Sequence, residues 1–156
     1  MIHRAVLTTV LALLVTGAGA VASAQTQGVP QQAQSGPAGA KTTKHHLVIQ
    51  VSDAEPAKWN LALNNARNVQ TDLGRENVDL EIVVYGPGIG MLKRESAVGT
   101  RIDEALMAGV QVVACENTMT GQKLTKADML PGIGYVPAGV TEIMLKQQQG
   151  YAYIRP

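Results

Sequence analysis

The sequence predicts a three-layer α/β/α domain built on a mainly parallel sheet of about five strands. Short apolar runs alternate along the chain with segments whose apolar residues recur at helical spacing. That order is typical of helices packed on both faces of a parallel sheet. The hydrophobic fraction is 46% although aromatic residues make up only 3%, so the core must be aliphatic. Residues 44–156 are long enough to bury such a core as one domain.

Residues 1–43 precede this domain and carry a different signal. Arg4 is followed by an apolar run from Ala5 to Val15, and small residues then lead to Ala22-Ser23-Ala24. This is the order of a secretory signal peptide, so we expect residues 1–24 to be cleaved after Ala24 and the product to be periplasmic or secreted. A retained membrane anchor is the alternative. The small-residue tail and the missing positive flank favour cleavage, and we expect no membrane contact afterwards.

Residues 25–43 are rich in Gln, Gly, Pro, Ala and Ser and have no hydrophobic periodicity, which predicts a disordered linker. Loss of Arg4 would reduce the 13 basic residues to 12, against 12 acidic ones. The charges are scattered and no basic run is present. The composition therefore argues against a nucleic-acid partner.

The first strand is predicted over His46–Val51, a near-continuous apolar run of the kind found in buried parallel strands. A helix is predicted to follow Ser52-Asp53, which offer N-capping oxygens; Pro56 falls within its first turn and Gly74 is its C-cap. Its apolar residues recur at helical spacing. The opposite face carries amides and is interpreted as solvated; it consists of Asn60, Asn64, Asn65 and Asn68.

The second strand, Val78–Tyr85, ends at a glycine-rich segment, Gly86-Pro87-Gly88-Ile89-Gly90. Its spacing lacks the third glycine position of a dinucleotide fingerprint and the Lys-Ser/Thr of a phosphate loop. We therefore expect no nucleotide cofactor, and we predict a tight turn in which the backbone approaches a neighbouring segment. Gly86 and Gly88 are candidate binding residues because they follow the carboxyl end of a strand.

A polar bridge and a second helix ending at Gly109 lead to the third strand, Val110–Ala114, which ends at Cys115. A thiol at this position lies where open α/β sheets bind their ligands. Cys115 is the only cysteine, so an intramolecular disulfide is excluded. We predict that backbone N–H groups of the following turn, with Asn117 and Thr118, donate hydrogen bonds to its sulfur. We expect the neighbouring Glu116 to raise its pKa.

The rest of the chain continues the alternation of strands and helices. We predict a loop or short helix, a turn capped by Thr125, a strand, a helix and a closing strand. The ranges are Thr118–Lys126, Thr125–Leu130, Tyr135–Val136, Ala138–Gln149 and Tyr151–Ile154. Val140, Ile143 and Met144 are expected to face inward from the last helix.

Six segments carry a resemblance to a known family. They are Pro56–Asn65 (PAKWNLALNN), Tyr85–Ile89 (YGPGI), Ala114–Met119 (ACENTM), Met129–Gly132 (MLPG), Val136–Val140 (VPAGV) and Gly150–Pro156 (GYAYIRP). On these segments the chain resembles the DsrE/DsrF-like family, in particular its exported single-domain members. The resemblance implies an α/β/α fold with flavodoxin-like layering, and homo-oligomers such as trimers or hexamers.

The resemblance also implies sulfur-relay chemistry. In the intracellular relay proteins of the family, a cysteine after a central strand accepts sulfur as a persulfide and passes it to a partner. Cys115 occupies the corresponding place. We therefore expect a periplasmic sulfur carrier or thiol-redox protein, rather than a turnover enzyme, that exchanges sulfur with a donor or acceptor protein and needs no cofactor.

Two alternatives stay open. In the first, the protein is a non-catalytic oligomeric module for a small ligand or partner, and Cys115 is a small buried hydrophobe. In the second, Cys115 binds a metal together with His45 or His46. Adjacent residues on a strand point to opposite faces, so at most one of the two histidines would serve. This pattern is weak, and we expect no metal site.

Overall fold

Five parallel strands form the sheet in a computed structural model that describes residues 44–156. The strands are β1 (His45–Val51), β2 (Val78–Val84), β3 (Gln111–Cys115), β4 (Gly134–Val136) and β5 (Ala152–Ile154). They lie in the order β4-β3-β2-β1-β5, and every neighbouring pair is parallel. The predicted sheet of about five strands is confirmed. The predicted signal peptide and linker lie outside the described residues.

Four α-helices connect the strands in the described part of the chain. They are α1 (Pro56–Leu73), α2 (Gly99–Met107), α3 (Glu116–Gly121) and α4 (Gly139–Gln148). Short 3₁₀ segments occupy Arg75–Asn77, Gly86–Leu92 and Lys126–Asp128. None of the helices in residues 44–156 is long and apolar enough to cross a membrane.

The predicted C-cap of α1, Gly74, is confirmed, but the helix begins only at Pro56, and neither Ser52 nor Asp53 caps it. The N-cap is Glu55, which makes no capping hydrogen bond through its side chain. The Ser52 hydroxyl instead accepts a hydrogen bond from Gln50, and the Asp53 carbonyl accepts one from the Trp59 indole at 2.7 Å. These hydrogen bonds therefore link Ser52 to β1 and Asp53 to α1, and the helix begins three residues after Asp53.

The two faces of the sheet bury unequal cores. On one face the aliphatic side chains of the strands pack under α1 and α2; this larger core includes Ile49, Ile82, Val112, Ala66 and Ile102. The other face is covered by α4, with a core of Val48, Val83, Val113 and Ile143. The three-layer α/β/α arrangement is confirmed.

The prediction that Val140 and Met144 face inward from α4 is wrong. Val140 is 63% exposed and Met144 48% exposed, whereas Gly139 and Ile143 are buried. A Cβ atom added at Gly139 would lie 3.1 Å from the Tyr85 side chain, so the helix contacts the sheet closely there. The Gly139–Ile143 line faces the strands, and Val140 and Met144 are turned about 100° away from it.

The amide face of α1 was predicted to be solvated, but part of it contacts α2. The side-chain oxygens of Asn60 and Asn64 accept hydrogen bonds from the Arg101 guanidinium of α2. Arg101 thus ties the two outer helices to each other. The sequence pattern did not reveal this contact because its partners lie far apart along the chain.

Candidate functional site

Cys115 is the last residue of β3, and α3 begins at the next residue. Its side chain is on the α4 face of the sheet, since it alternates with Ala114 and lies in register with Val136 of β4. The thiol is unpaired, and the residue is only 5% exposed. The buried strand Val112–Ala114 therefore delivers a covered thiol to the carboxyl edge of the sheet, where the sequence predicted it.

Four hydrogen-bond donors near Cys115 lower the pKa of its thiol. They are the Thr118 hydroxyl and the backbone N–H groups of Asn117, Thr118 and Gly139. Burial raises the pKa of the Cys115 thiol, but the four hydrogen bonds outweigh burial, so its pKa lies below the ordinary value. Asn117 and Thr118 belong to the first turn of α3, and Gly139 is the first residue of α4. Both helix amino termini favour a negative sulfur.

Thr118 links the thiol to the glycine-rich segment. Its hydroxyl oxygen accepts a hydrogen bond from the Gly86 N–H at 2.9 Å, while the Gly86 carbonyl accepts one from Gln122 at 3.3 Å. Gly86 therefore positions Thr118. The Asn117 backbone N–H donates a hydrogen bond to the Pro137 carbonyl at 3.1 Å and also lowers the pKa of Cys115, whereas the Asn117 side chain is exposed.

Gly88 lies against β1, as the predicted close approach requires. A Cβ atom there would be 2.7 Å from the Val51 carbonyl oxygen, and the Gly88 N–H donates to the Ser52 carbonyl at 3.1 Å. These contacts fix the path of the loop after β2. Ligand binding by Gly86 and Gly88 stays a prediction.

The negative charge beside the thiol is paired. The Glu116 carboxylate lies 3.4 Å from the Lys126 ammonium, which also sits 4.4 Å above the ring centroid of Tyr135. The pKa of Cys115 is nevertheless lowered overall. That Glu116 opposes this lowering stays a prediction.

Sequence reasoning missed Gly139. Gly139 lies near the thiol because β4 pairs with β3: Val136 is in register with Cys115, and Gly139 follows Val136 by three residues. A Cβ atom at Gly139 would lie 3.1 Å from Tyr85 and 3.2 Å from Val83, so these side chains would have to shift slightly. The available signal was a glycine at the start of a helix that directly follows a strand.

The metal alternative is wrong. His45 and His46 open β1, at the amino edge of the parallel sheet, whereas Cys115 closes β3 at the carboxyl edge. The His46 ring instead lies 3.4 Å from the Asp79 carboxylate and stacks at 4.9 Å on Tyr151. Across residues 44–156, no three His, Cys, Asp or Glu side chains form a metal-binding group.

The fold and the site define a class: parallel α/β domains with a hydrogen-bonded cysteine at the carboxyl end of a central strand. The chain belongs to the DsrE/DsrF-like family, whose profile matches residues 45–156. This family is of a general sulfur-relay type. No protein with a curated description matches the chain.

Solved structures share the fold. MTH1491 from Methanobacterium thermoautotrophicum, a protein of unknown function, is 33% identical with a TM-score of 0.69, and the match covers 72% of this chain and 100% of that one. BT1422 from Bacteroides thetaiotaomicron, also of unknown function, is 16% identical with a TM-score of 0.61, covering 76% and 100%. The ychN protein of E. coli is 10% identical with a TM-score of 0.58, covering 72% and 99%. At these lower identities the last two support the fold alone.

Proposed function

We propose that this protein is a sulfur carrier that holds sulfur as a persulfide on Cys115. The observation that carries the proposal is the set of four donors around the sulfur, which lowers the thiol pKa despite burial. A lower pKa raises the thiolate fraction, and the thiolate is the form that attacks a sulfur donor. Membership of a sulfur-relay type of family agrees with this chemistry.

The proposed step is a displacement at sulfur. The Cys115 thiolate attacks the outer sulfur of thiosulfate, a new S–S bond forms, and the S–S bond of thiosulfate breaks with its electron pair leaving on sulfite. The terminal sulfur of the persulfide keeps the negative charge, so no external oxidant is needed. An acceptor thiolate then removes that sulfur and regenerates the Cys115 thiolate.

We also propose that the domain acts outside the cytoplasm, as the predicted cleavage after Ala24 implies, and that copies associate as a trimer or hexamer. Exposed apolar side chains on α4 and β5 support association. These side chains form a surface that we call the α4 patch: Val140, Met144, Leu145 and Tyr153. A cavity of about 260 Å³ lies beside the patch. Monomeric proteins seldom expose extended apolar patches.

One experiment tests carriage and export together. The protein is expressed with its full sequence, purified from the periplasmic fraction and incubated with thiosulfate or polysulfide before intact-mass analysis. We expect a chain that begins at Gln25 and gains the mass of sulfur, with the gain reversed by a reducing thiol. Cys115→Ser should gain nothing.

A transplanted thiol provides the matched control. The variant Cys115→Ser/Thr120→Cys carries its thiol at an exposed position of α3, away from the four donors. We expect it to acquire sulfur more slowly at neutral pH, since its pKa should be ordinary. Equal sulfur gain at the two positions would show that the donors around Cys115 contribute nothing.

A second candidate function is favoured by the burial of Cys115, which is only 5% exposed. In this reading the protein is a non-catalytic module for a small ligand or partner, and the thiol packs as a hydrophobe. The native thiol would then react slowly with alkylating reagents, and no donor would add sulfur. That pair of results would replace the carrier proposal with this one.

A further inference from the structure

A cavity of about 440 Å³ lies between α1 and α2, on the face of the sheet opposite α4. Its apolar side is formed by buried Leu63, Ala66 and Val110, and Met107 lies at its mouth with 80% exposure. Sites for small ligands are commonly concave, largely apolar and of this size.

Three arginines line the same cavity, against one carboxylate. The arginines are Arg67, Arg75 and Arg101, and the carboxylate is Glu104. Among residues 44–156, none of the three guanidinium groups forms an ion pair. The lining therefore carries an excess of positive charge that no protein carboxylate neutralises.

Arg101 is held in place by uncharged side chains. The side-chain oxygens of Asn60 and Asn64 accept its hydrogen bonds, the latter at 2.7 Å, and both partners are neutral amides. Deeper in the cavity, the buried Gln70 amide donates to the Ala108 carbonyl at 2.9 Å and ties α1 to the end of α2. The walls are thus fixed before any ligand arrives, which reduces the entropy cost of binding.

We propose that this cavity binds an organic anion with an apolar chain, of the class of medium-chain carboxylates. The guanidinium groups recognise the carboxylate, and Leu63, Val110 and Met107 cover the chain. The ligand does not reach the thiol, because Val110 directly precedes β3 and Cys115 ends it, roughly 16 Å away at about 3.3 Å per residue. The site is independent of sulfur carriage.

Calorimetric titration with octanoate tests the proposal, with acetate and inorganic sulfate as comparison ligands. Octanoate should bind saturably and more weakly as salt is raised. Acetate lacks the chain, and sulfate lacks an apolar part, so both should bind at least tenfold more weakly. Cys115→Ser should bind octanoate like the native protein, which separates this result from the outcome of the persulfide experiment.

Charge variants locate the site. Arg67→Gln/Arg75→Gln removes two exposed cations and should weaken octanoate binding roughly tenfold, as expected for two partly solvated ion pairs. Lys58→Gln removes an exposed cation from the other end of α1, outside the cavity, and should leave binding unchanged. Arg101→Gln is a poorer test because it also breaks the contact between the helices.

Met107 offers a pair of variants that differ only in charge. Met107→Glu places a carboxylate at the mouth of the cavity and should weaken octanoate binding several-fold relative to Met107→Gln. Any of three results would overturn the proposal: sulfate and octanoate bind equally, the two Met107 variants have the same affinity for octanoate, or octanoate does not bind saturably. Self-association that the arginine variants abolish, without octanoate binding, would assign the cavity to a second copy and overturn it too.

Discussion

At the scale of single residues, Thr118 has two roles at the thiol. Its hydroxyl oxygen accepts a hydrogen bond from the Gly86 N–H at 2.9 Å, and hydrogen bonding by the same hydroxyl lowers the pKa of the Cys115 thiol. A hydroxyl can donate one hydrogen bond and accept others, so the Gly86 contact directs the proton toward sulfur. The glycine-rich segment thereby affects the thiol without touching it.

Replacing Thr118 separates these contributions. Thr118→Val removes the hydroxyl with little change in shape, so we expect the pKa of Cys115 to rise toward its ordinary value. We also expect stability to fall by about 1 kcal/mol, because the Gly86 N–H loses its partner. The pH dependence of the alkylation rate measures the pKa. Thr118→Ser keeps the hydroxyl and should behave like the native protein; a shift of equal size in both variants would contradict the proposed role.

The residues that sequence reasoning found around the thiol are those that lie close to it along the chain. Asn117 and Thr118 follow Cys115 within one turn, so strand-end geometry alone predicts their donors. Gly139 could not be predicted, because β4 must pair with β3 before it meets the sulfur. The ion pair of Glu116 could not be predicted either, since its partner Lys126 is brought close only by the fold.

At the scale of elements, a buried ion pair joins α4 to the sheet. Lys146 lies 2.5 Å from Glu81 of β2, and the Glu81 side chain is only 3% exposed. Burial raises the pKa of Glu81, and the nearby Lys146 only partly opposes this effect. Burial lowers the pKa of Lys146, but Glu81, Tyr151 and Glu142 together raise it by more. The other Glu81 oxygen, Oε1, is buried with no hydrogen-bond partner among the described residues.

The signs of these shifts give a pH dependence. A raised pKa at Lys146 adds stability at pH values below 10.5, and this is lost as pH rises through the pKa of the folded state. A raised pKa at Glu81 acts in the acid range: its contribution is present below 4.5 and is lost as pH rises through the folded-state pKa. Near neutral pH, the buried Glu81 carboxylate is therefore stabilised in its ionised form by Lys146.

Removing the cation should expose this dependence. We expect Lys146→Met to lower the free energy of unfolding by about 3 kcal/mol near neutral pH, because it leaves a buried carboxylate unpaired. The loss should shrink in mild acid, where Glu81 takes up a proton. Chemical denaturation across pH measures both effects. Lys44→Met breaks the exposed pair with Asp79 and should change stability by less than about 1 kcal/mol; a pH-independent loss in Lys146→Met would refute the account.

Element types were easier to predict than the faces that the elements bury. Trp59, Ala62, Leu63 and Ala66 of α1 are buried, as their spacing predicts, because a broad sheet face lies beneath them. The same rule fails for α4, where Gly139 sits so close to Tyr85 that only a narrow line of residues meets the sheet. Periodicity describes the helix, whereas the width of its contact depends on the surface below.

At the scale of the whole domain, the two faces of the sheet are covered to different extents. Two helices cover one face and α4 alone covers the other, where the α4 patch remains exposed. Tyr153 on this patch donates a hydrogen bond to Gln50 at 2.6 Å, so part of the surface is already ordered. An ordered apolar surface is well suited to a contact between copies.

A charge placed in the α4 patch should weaken that contact. We expect Met144→Lys to lower the molar mass in solution, with a dissociation constant raised at least tenfold, since a lysine there would be buried without a partner. Light scattering over a range of concentrations measures it. Leu61→Lys changes an α1 residue of similar exposure, 42% against 48%, and should leave the mass unchanged. A native protein that stays monomeric at all concentrations would remove the α4 patch as an interface.

The two outermost strands, β4 and β5, contain only three residues each. A short edge offers few free backbone N–H and C=O groups, so another chain cannot extend the sheet by strand addition to any useful length. The association proposed above would therefore use side-chain surfaces, where a single substitution can tune it. The same short edges protect the folded domain from the edge-to-edge pairing that leads to amyloid-like aggregation.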